Sequence, residues 1–259
     1  MKSILLSRRA KVSVEDYLFG LLVLVTGILV FSLLPFFHFE MSNRDDKETD
    51  SSSPMSTVRM TMMPLTGFDI QLAKQFMDKD NDGKCDACGM PVEMCMDSGQ
   101  MQCNMDPEAT IGVLGSQHIH ADWKIYINGK ALDFSDKSHM ERMRNNMPVS
   151  SFIHVDSGAP APEKTGDVLH MHASGVPLWI FFKSIGIDFS KDCITLENKE
   201  KFCNDSNKKL KFFVNGKESN EFENYVFNDL DKILISYGDE SEEEIKNHLA
   251  SITDFAKLH

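Results

Sequence analysis

Two short motifs place histidines two residues apart: His118 and His120 in HIHADW, and His170 and His172 in HMHASG. A fifth, His154, stands in FIHVD, with Asp156 two residues further on. In a β-strand, residues two apart project from the same face, so each pair presents two imidazoles side by side. On adjacent strands the two pairs offer four nitrogen donors to one ion, and His154 and Asp156 can add to them. Such a set suits Cu2+ or Zn2+. The plainer readings are solvent-facing histidines or a pH-sensitive patch. His38, His139, His248 and His259 show no partner pattern.

A second donor group is made of cysteines. Cys85 and Cys88 form a C-x-x-C, and Cys95 and Cys103 complete four cysteines within 19 residues. Four thiolates can close a tetrahedral Zn2+ site; they can equally form two disulfides in an oxidising compartment. Met90, Met94, Met96, Met101 and Met105 are interleaved with them, and ten of the 16 methionines lie between Met55 and Met105. Thioether with thiolate suits Cu+, although methionine also fills small irregular cores. No βαβ pattern surrounds the C-x-x-C, which argues against a thioredoxin-like redox motif. Cys193 and Cys203 bracket the hairpin-like ITLENKEKF, where a cross-strand disulfide is the simple reading. Cys203 lacks the close His and Met of a blue-copper loop.

A third group is made of carboxylates. Asp78, Asp80, Asp82, Gly83, Lys84 and Asp86 spell D-x-D-x-D-G-x-x-D. Carboxylates at positions one, three and five can converge on Ca2+, glycine at six allows the sharp turn, and Lys84 at seven offers a carbonyl. The pattern follows the first half of an EF-hand loop and resembles the truncated loops of dockerin and thrombospondin type 3 repeats. It departs at position twelve, where Gly89 replaces the bidentate Glu. The alternative is a polar turn that holds no ion.

Other chemistries are not visible. There is no nucleophile-elbow motif, no phosphate-cradling glycine loop and no dinucleotide fingerprint. A net charge of -12 repels phosphate backbones, which excludes nucleic acid as a partner and favours cations. An enzymatic activity would have to run through the metal.

The elements that position these groups follow from periodicity and punctuation. Residues 17–39 carry no Asp, Glu, Lys or Arg and are long enough to span a bilayer as a helix. Lys2, Arg8, Arg9 and Lys11 precede them and Glu40, Asp45, Asp46, Glu48 and Asp50 follow, which places the N-terminus in the cytoplasm. The length of the run and the lack of a small-x-small cleavage site favour an uncleaved anchor over a signal peptide. The expected division is a cytoplasmic basic tail (1–16), a transmembrane anchor (17–39) and a flexible linker (40–66). A Cys/Met-rich module (67–110), a His-rich α+β domain (111–240) and a C-terminal acidic helix (241–259) follow.

A short helix is expected near 68–77. Strands are expected at 123–127 (WKIYI), 151–155, 168–172, 194–197, 210–214 (LKFFV) and 233–237, with Asn128-Gly129 and Asn215-Gly216 as tight hairpin turns. WKIYINGK and LKFFVNGK are alike, either as an internal duplication or as two unrelated hairpins. Pro177 opens a helix stopped by Gly186, and a last helix is expected from Glu242 to about Ala256. This order gives an α+β fold with a mostly antiparallel sheet and a helix packed across it. A β-grasp-like arrangement is preferred and a β-sandwich is the alternative.

The segments HIHADWKIYINGKALDF, SSFIHVDSG, VLHMHASGVPLWIFFKSIGI, LKFFVNGK and DLDKILISYG resemble a family of uncharacterised, membrane-anchored surface proteins. These are proteins of ammonia-oxidising archaea and uncultured bacterial lineages. The resemblance covers about half the chain, from Gly115 to Gly238, and the H-x-H motifs are its most specific part. Related sequences carry a second histidine in the FIHVD segment, where this chain has Asp156. The resemblance implies an archaeal envelope protein and an environment dependent on copper enzymes, and supplies no reaction.

Three functional readings follow. The first is a non-enzymatic, membrane-anchored protein that captures, stores or passes copper or zinc outside the cytoplasm. The second is a metalloenzyme with an open coordination position at the same histidines. The third is an interaction module of an envelope complex with only structural metals, which would leave the histidines pointing apart beside an exposed apolar patch.

Overall fold

Alternation along the strands decides which face each side chain takes. In a computed structural model, residues 65–137, 143–144, 147–148, 151–156, 158 and 165–259 are described, all within one unit, Val58–His259. The expected tail, anchor and nearly all of the linker lie outside the described residues. Among those described, no helix is long and apolar enough to cross a membrane.

The chain begins with α1 (Gly67–Met77) and α2 (Val92–Asp97). Then come β1 (Ile119–Ile127), β2 (Lys130–Ala131), β3 (Met143–Arg144), β4 (Met147–Pro148), β5 (Ile153–Asp156) and β6 (Val168–Met171). Next are α3 (Leu178–Ser184), β7 (Asp188–Phe189), β8 (Cys193–Thr195), β9 (Lys201–Cys203) and β10 (Lys209–Val214). The last are β11 (Lys217–Glu218), β12 (Lys232–Gly238) and α4 (Glu242–Ala250). The architecture is α+β. The main sheet has the order β11-β10-β12-β1-β6-β5, with β2 paired to β1. It is mostly antiparallel, with β1 and β12 parallel at its centre. A small sheet, β7-β8-β9, lies apart, with Cys193 opposite Cys203 and joined to it by a disulfide.

Both Asn-Gly turns form as their sequence dictates. Asn128 and Gly129 have φ of 50° and 76°, and Asn215 and Gly216 have φ of 52° and 77°, the double positive φ of a type I′ hairpin. The two similar strands, β1 and β10, flank β12 on opposite sides.

One face of the sheet is apolar. Ile119, Ala121, Trp123 and Ile125 of β1 are in register with Met171 and Leu169 of β6 and with Ile233 and Ile235 of β12. The buried Leu178, Ile180, Phe181 and Phe182 of α3 belong to the same core, with the Trp123 and Phe181 rings edge to face at 5.0 Å. Burial of this face drives folding and fixes the register, because a one-residue slip would turn every apolar side chain outward.

The opposite face carries the polar residues. Tyr126 stacks on His248 of α4 at 3.7 Å. Helix α4 opens with a capping box between Ser241 and Glu244 and ends at Ala250, six residues short of the expected end. A buried carboxylate accounts for the stop. Asp122 accepts hydrogen bonds from Thr253 Oγ1 and from the backbone N–H groups of Phe255 and Ala256. These bonds hold the chain in a separate 3-10 turn, Phe255–Leu258, over the sheet.

Candidate metal centre

The polar face of β1, β6 and β5 brings the histidines together. His120 lies opposite His170, and His170 opposite His154, so three imidazoles form one row across three strands. His118 and His172 continue the H-x-H pairs at the strand ends. Ring centroids are 4.2 Å apart for His120–His170, 4.0 Å for His170–His172 and 4.7 Å for His118–His170. The His154 ring is 4.8 Å from that of His170 and 5.2 Å from that of His172. The donor atoms of His118, His120 and His170 lie within 4.8 Å of one another, as do those of His154, His170 and His172. All five expected histidines therefore share one site.

The site runs from surface to interior. His118 is exposed, His172 is half-buried, and His120, His154 and His170 are buried. Burial, with the neighbouring imidazoles, favours the neutral form that binds metal. It pushes His170 well below the ordinary imidazole range and His172 down to about 4. Burial lowers His120 in the same direction.

Asp156 is fully buried behind this row, its Oδ2 3.7 Å from His170 Nδ1 and 3.3 Å from His259 Nδ1. His120, Asp156 and His259 form a further donor group. His259 had no partner pattern in the sequence. The Asp122 clasp brings the 3-10 turn that precedes it onto the sheet. A buried Asp in the strand ADWKI signals that donors must come from somewhere, yet it does not name them.

The cysteine module brings together a second candidate donor group. Cys85, Cys88, Cys95 and Cys103 are free thiols, with sulfur atoms within 4.8 Å of one another. Cys88 Sγ and Cys95 Sγ are 3.9 Å apart. Four sulfurs tetrahedral about an ion at about 2.3 Å lie about 3.8 Å apart, whereas a disulfide needs about 2.05 Å. The spacing is compatible with an ion held by four sulfurs, and no disulfide joins these cysteines in the structure.

The backbone turns tightly through this C-x-x-C. Gly89 N–H donates to the Cys85 carbonyl at 2.7 Å and Cys85 N–H to that of Met90 at 2.8 Å. The Met90 N–H bonded to the Cys88 sulfur lowers the pKa of that thiol. Burial pushes Cys95 up to about 12 and raises Cys103. Met96 and Met101 are buried and pack the module, while Met90, Met94 and Met105 are exposed. Only the latter group, with Met90 and Met94 from the expected ligand set, is free to offer thioethers at the surface.

The calcium-like loop precedes this turn and is only partly converged. Carboxylate oxygens of Asp78, Asp80 and Asp86 lie within 4.8 Å of one another. Asp78 Oδ1 is buried and has no hydrogen-bond partner among the described residues. Asp82 does not join them; its Oδ1 accepts from Lys84 N–H at 2.8 Å. Lys84 bridges to Pro91. Asn81 and Gly83 supply the positive φ, 58° and 82°, that folds the loop.

No protein-family model matches the chain, and no curated protein or solved structure matches it significantly.

Proposed function

We propose that this chain is a membrane-anchored, extracytoplasmic protein that captures or delivers a transition metal, copper in preference to zinc. The observation that carries the reading is the convergence of His118, His120, His154, His170 and His172 on one sheet face. Imidazole is the commonest donor for both ions. The gradient from exposed His118 to buried His170 gives an ion a path inward, and the charge of -12 draws cations to the surface. Exposed Met90 and Met94 beside the thiolates favour copper, since thioether binds Cu+ and holds Zn2+ poorly.

In this reading residues 17–39 anchor the chain and the acidic domain faces outward among other envelope proteins, as the resemblance to archaeal envelope proteins implies. The Asp78 loop takes Ca2+, and the thiolate turn takes Zn2+ or Cu+. The strand order β6-β1-β12-β10 with a parallel central pair, and α3 across one face, supports a β-grasp-like arrangement over a β-sandwich. Histidines that converge remove the observation that would have favoured a purely structural interaction module.

Metal analysis of the purified full chain, wild type against His118→Ala/His120→Ala, tests the proposal. The variant is expected to bind less copper while keeping metal on the thiolates. Unchanged copper content would end the proposal for this face.

A further inference from the structure

We propose that the imidazole face is a dinuclear centre, with His170 as the ligand shared by two transition-metal ions. The inference rests on the metal-binding reading above. A Zn2+ or Cu2+ ion is satisfied by about four protein donors. This face offers five imidazoles and a carboxylate, more than one ion can use. The five strand-borne imidazoles fall into two groups, His118 with His120 and His170, and His154 with His172 and His170, while a third group joins His120 to Asp156 and His259. His170 alone is common to the first two. Its strand, β6, runs between the strands that supply the other partners, and its ring is within 4.8 Å of all four other rings.

The state of the His170 ring points the same way. Both Nδ1 and Nε2 are buried, and neither has a hydrogen-bond partner among the described residues. A buried imidazole with neither nitrogen satisfied is costly. In a single-ion site, one nitrogen would bind metal and the other would donate its N–H to a carboxylate, a backbone carbonyl or water. Among the described residues, the carboxylate placed for this is that of Asp156, and 3.7 Å is too long for a hydrogen bond. Asp156 lies closer to His259. Bridging satisfies both His170 nitrogens. The ring gives up its one N–H proton to solvent, and each nitrogen donates a lone pair to one ion. No electron is transferred. His118 and His120 complete one ion's protein ligands, and His154 and His172 the other's.

The test is a Cu2+ titration of the full-length chain, given one equivalent of Zn2+ beforehand to occupy the thiolates. It is followed by bound-metal analysis and electron paramagnetic resonance. Two equivalents of Cu2+ are expected to bind, the integrated spin rising with the first and falling with the second as the bridged spins couple. His118→Ala and His154→Ala are each expected to bind one equivalent with its full spin, and the double variant none. His118 is exposed, so its variant leaves the core intact. One equivalent in the wild type would overturn the dinuclear centre and leave the metal-binding reading standing. Two equivalents with full, uncoupled spin would remove the bridging role of His170. No bound Cu2+, or binding unchanged in the double variant, would remove both.

Discussion

The four cysteines come from one stretch of 19 residues around a tight turn, whereas the five histidines come from three strands and their flanking residues, spread between residues 118 and 172. The first group is close because the chain is short there. The second is close because a packed sheet makes it so. A module as small as 67–110, with a few buried side chains and methionines as filler, has little core of its own. Its thiolates are therefore expected to need an ion to hold them. The imidazole row stands on strands already fixed by the apolar face beneath, including Trp123, Ile125, Leu169 and Phe181. One centre should be part of folding; the other should be a preformed seat on a finished fold.

Breaking the thiolate centre is the severest test of this contrast. Structural zinc contributes on the order of 10 kcal/mol to small zinc-dependent modules. Cys95→Ser, at a buried position, is expected to lower the Tm by at least about 10 °C, and a strong chelator should do the same to the wild type. Scanning calorimetry decides it. A wild type indifferent to chelation would mean that ordinary packing suffices.

The complementary experiment removes imidazoles. His120→Ala/His170→Ala takes away the middle of the row and is expected to weaken copper binding at this face by about 100-fold or more. The Tm of the metal-free protein should barely move, since the apolar face is untouched. Chelator competition gives the affinity and calorimetry the stability. A large loss of Tm without metal would show that the row is structural.

pH separates the two regions further, in opposite directions. Burial holds His172 near 4 in the folded chain against 6.5 when unfolded. Below pH 6.5 the unfolded state binds protons that the folded state refuses. Stability of the metal-free protein is thus full above pH 6.5 and lost as pH falls toward 4, by at most ~3 kcal/mol from His172 alone. Cys95 is pushed the other way, to about 12 from 9.0, so its contribution is full below pH 9 and lost as pH rises. Urea unfolding across pH, read from the fluorescence of Trp123 and Trp179, checks both limbs. A flat acid limb would contradict the burial of the imidazoles.

The same contrast explains what could be read from the sequence. Strand positions, both Asn-Gly turns, the Pro177 helix and the Cys193–Cys203 pair are set by neighbours in the chain and were legible. The H-x-H spacing correctly put each pair on one face. It could not say that His120, His170 and His154 share one row, because that depends on the pairing of β1 and β5 with β6. The parallel pairing of β1 with β12 leaves no local mark. His259 was missed for the same reason: it reaches the site only through the Asp122 clasp, which also ends α4 early. Asp82 was placed among the loop carboxylates by spacing alone, and its bond to Lys84 N–H turns it away.

The smallest expected effect comes from the loop that joins these arguments. Asp86 belongs both to the carboxylate group with Asp78 and Asp80 and to the chain between Cys85 and Cys88. Ca2+ on the loop should therefore steady the thiolate turn. At tenfold excess over Kd a ligand adds about 1.4 kcal/mol, or roughly 3 °C for a chain of this size. Extracellular Ca2+ modules bind in the millimolar range, so several millimolar Ca2+ is the condition to use. Asp80 is exposed, and Asp80→Ala should cost only its exposed bond from Asp82 N–H in a calcium chelator yet abolish the gain with Ca2+. The gain should also appear as slower removal of metal from the thiolates in the wild type only. Equal Tm values for the two proteins with and without Ca2+ would make the loop a plain turn, its carboxylates held by backbone N–H groups alone. The thiolate centre would then stand without help from its neighbour.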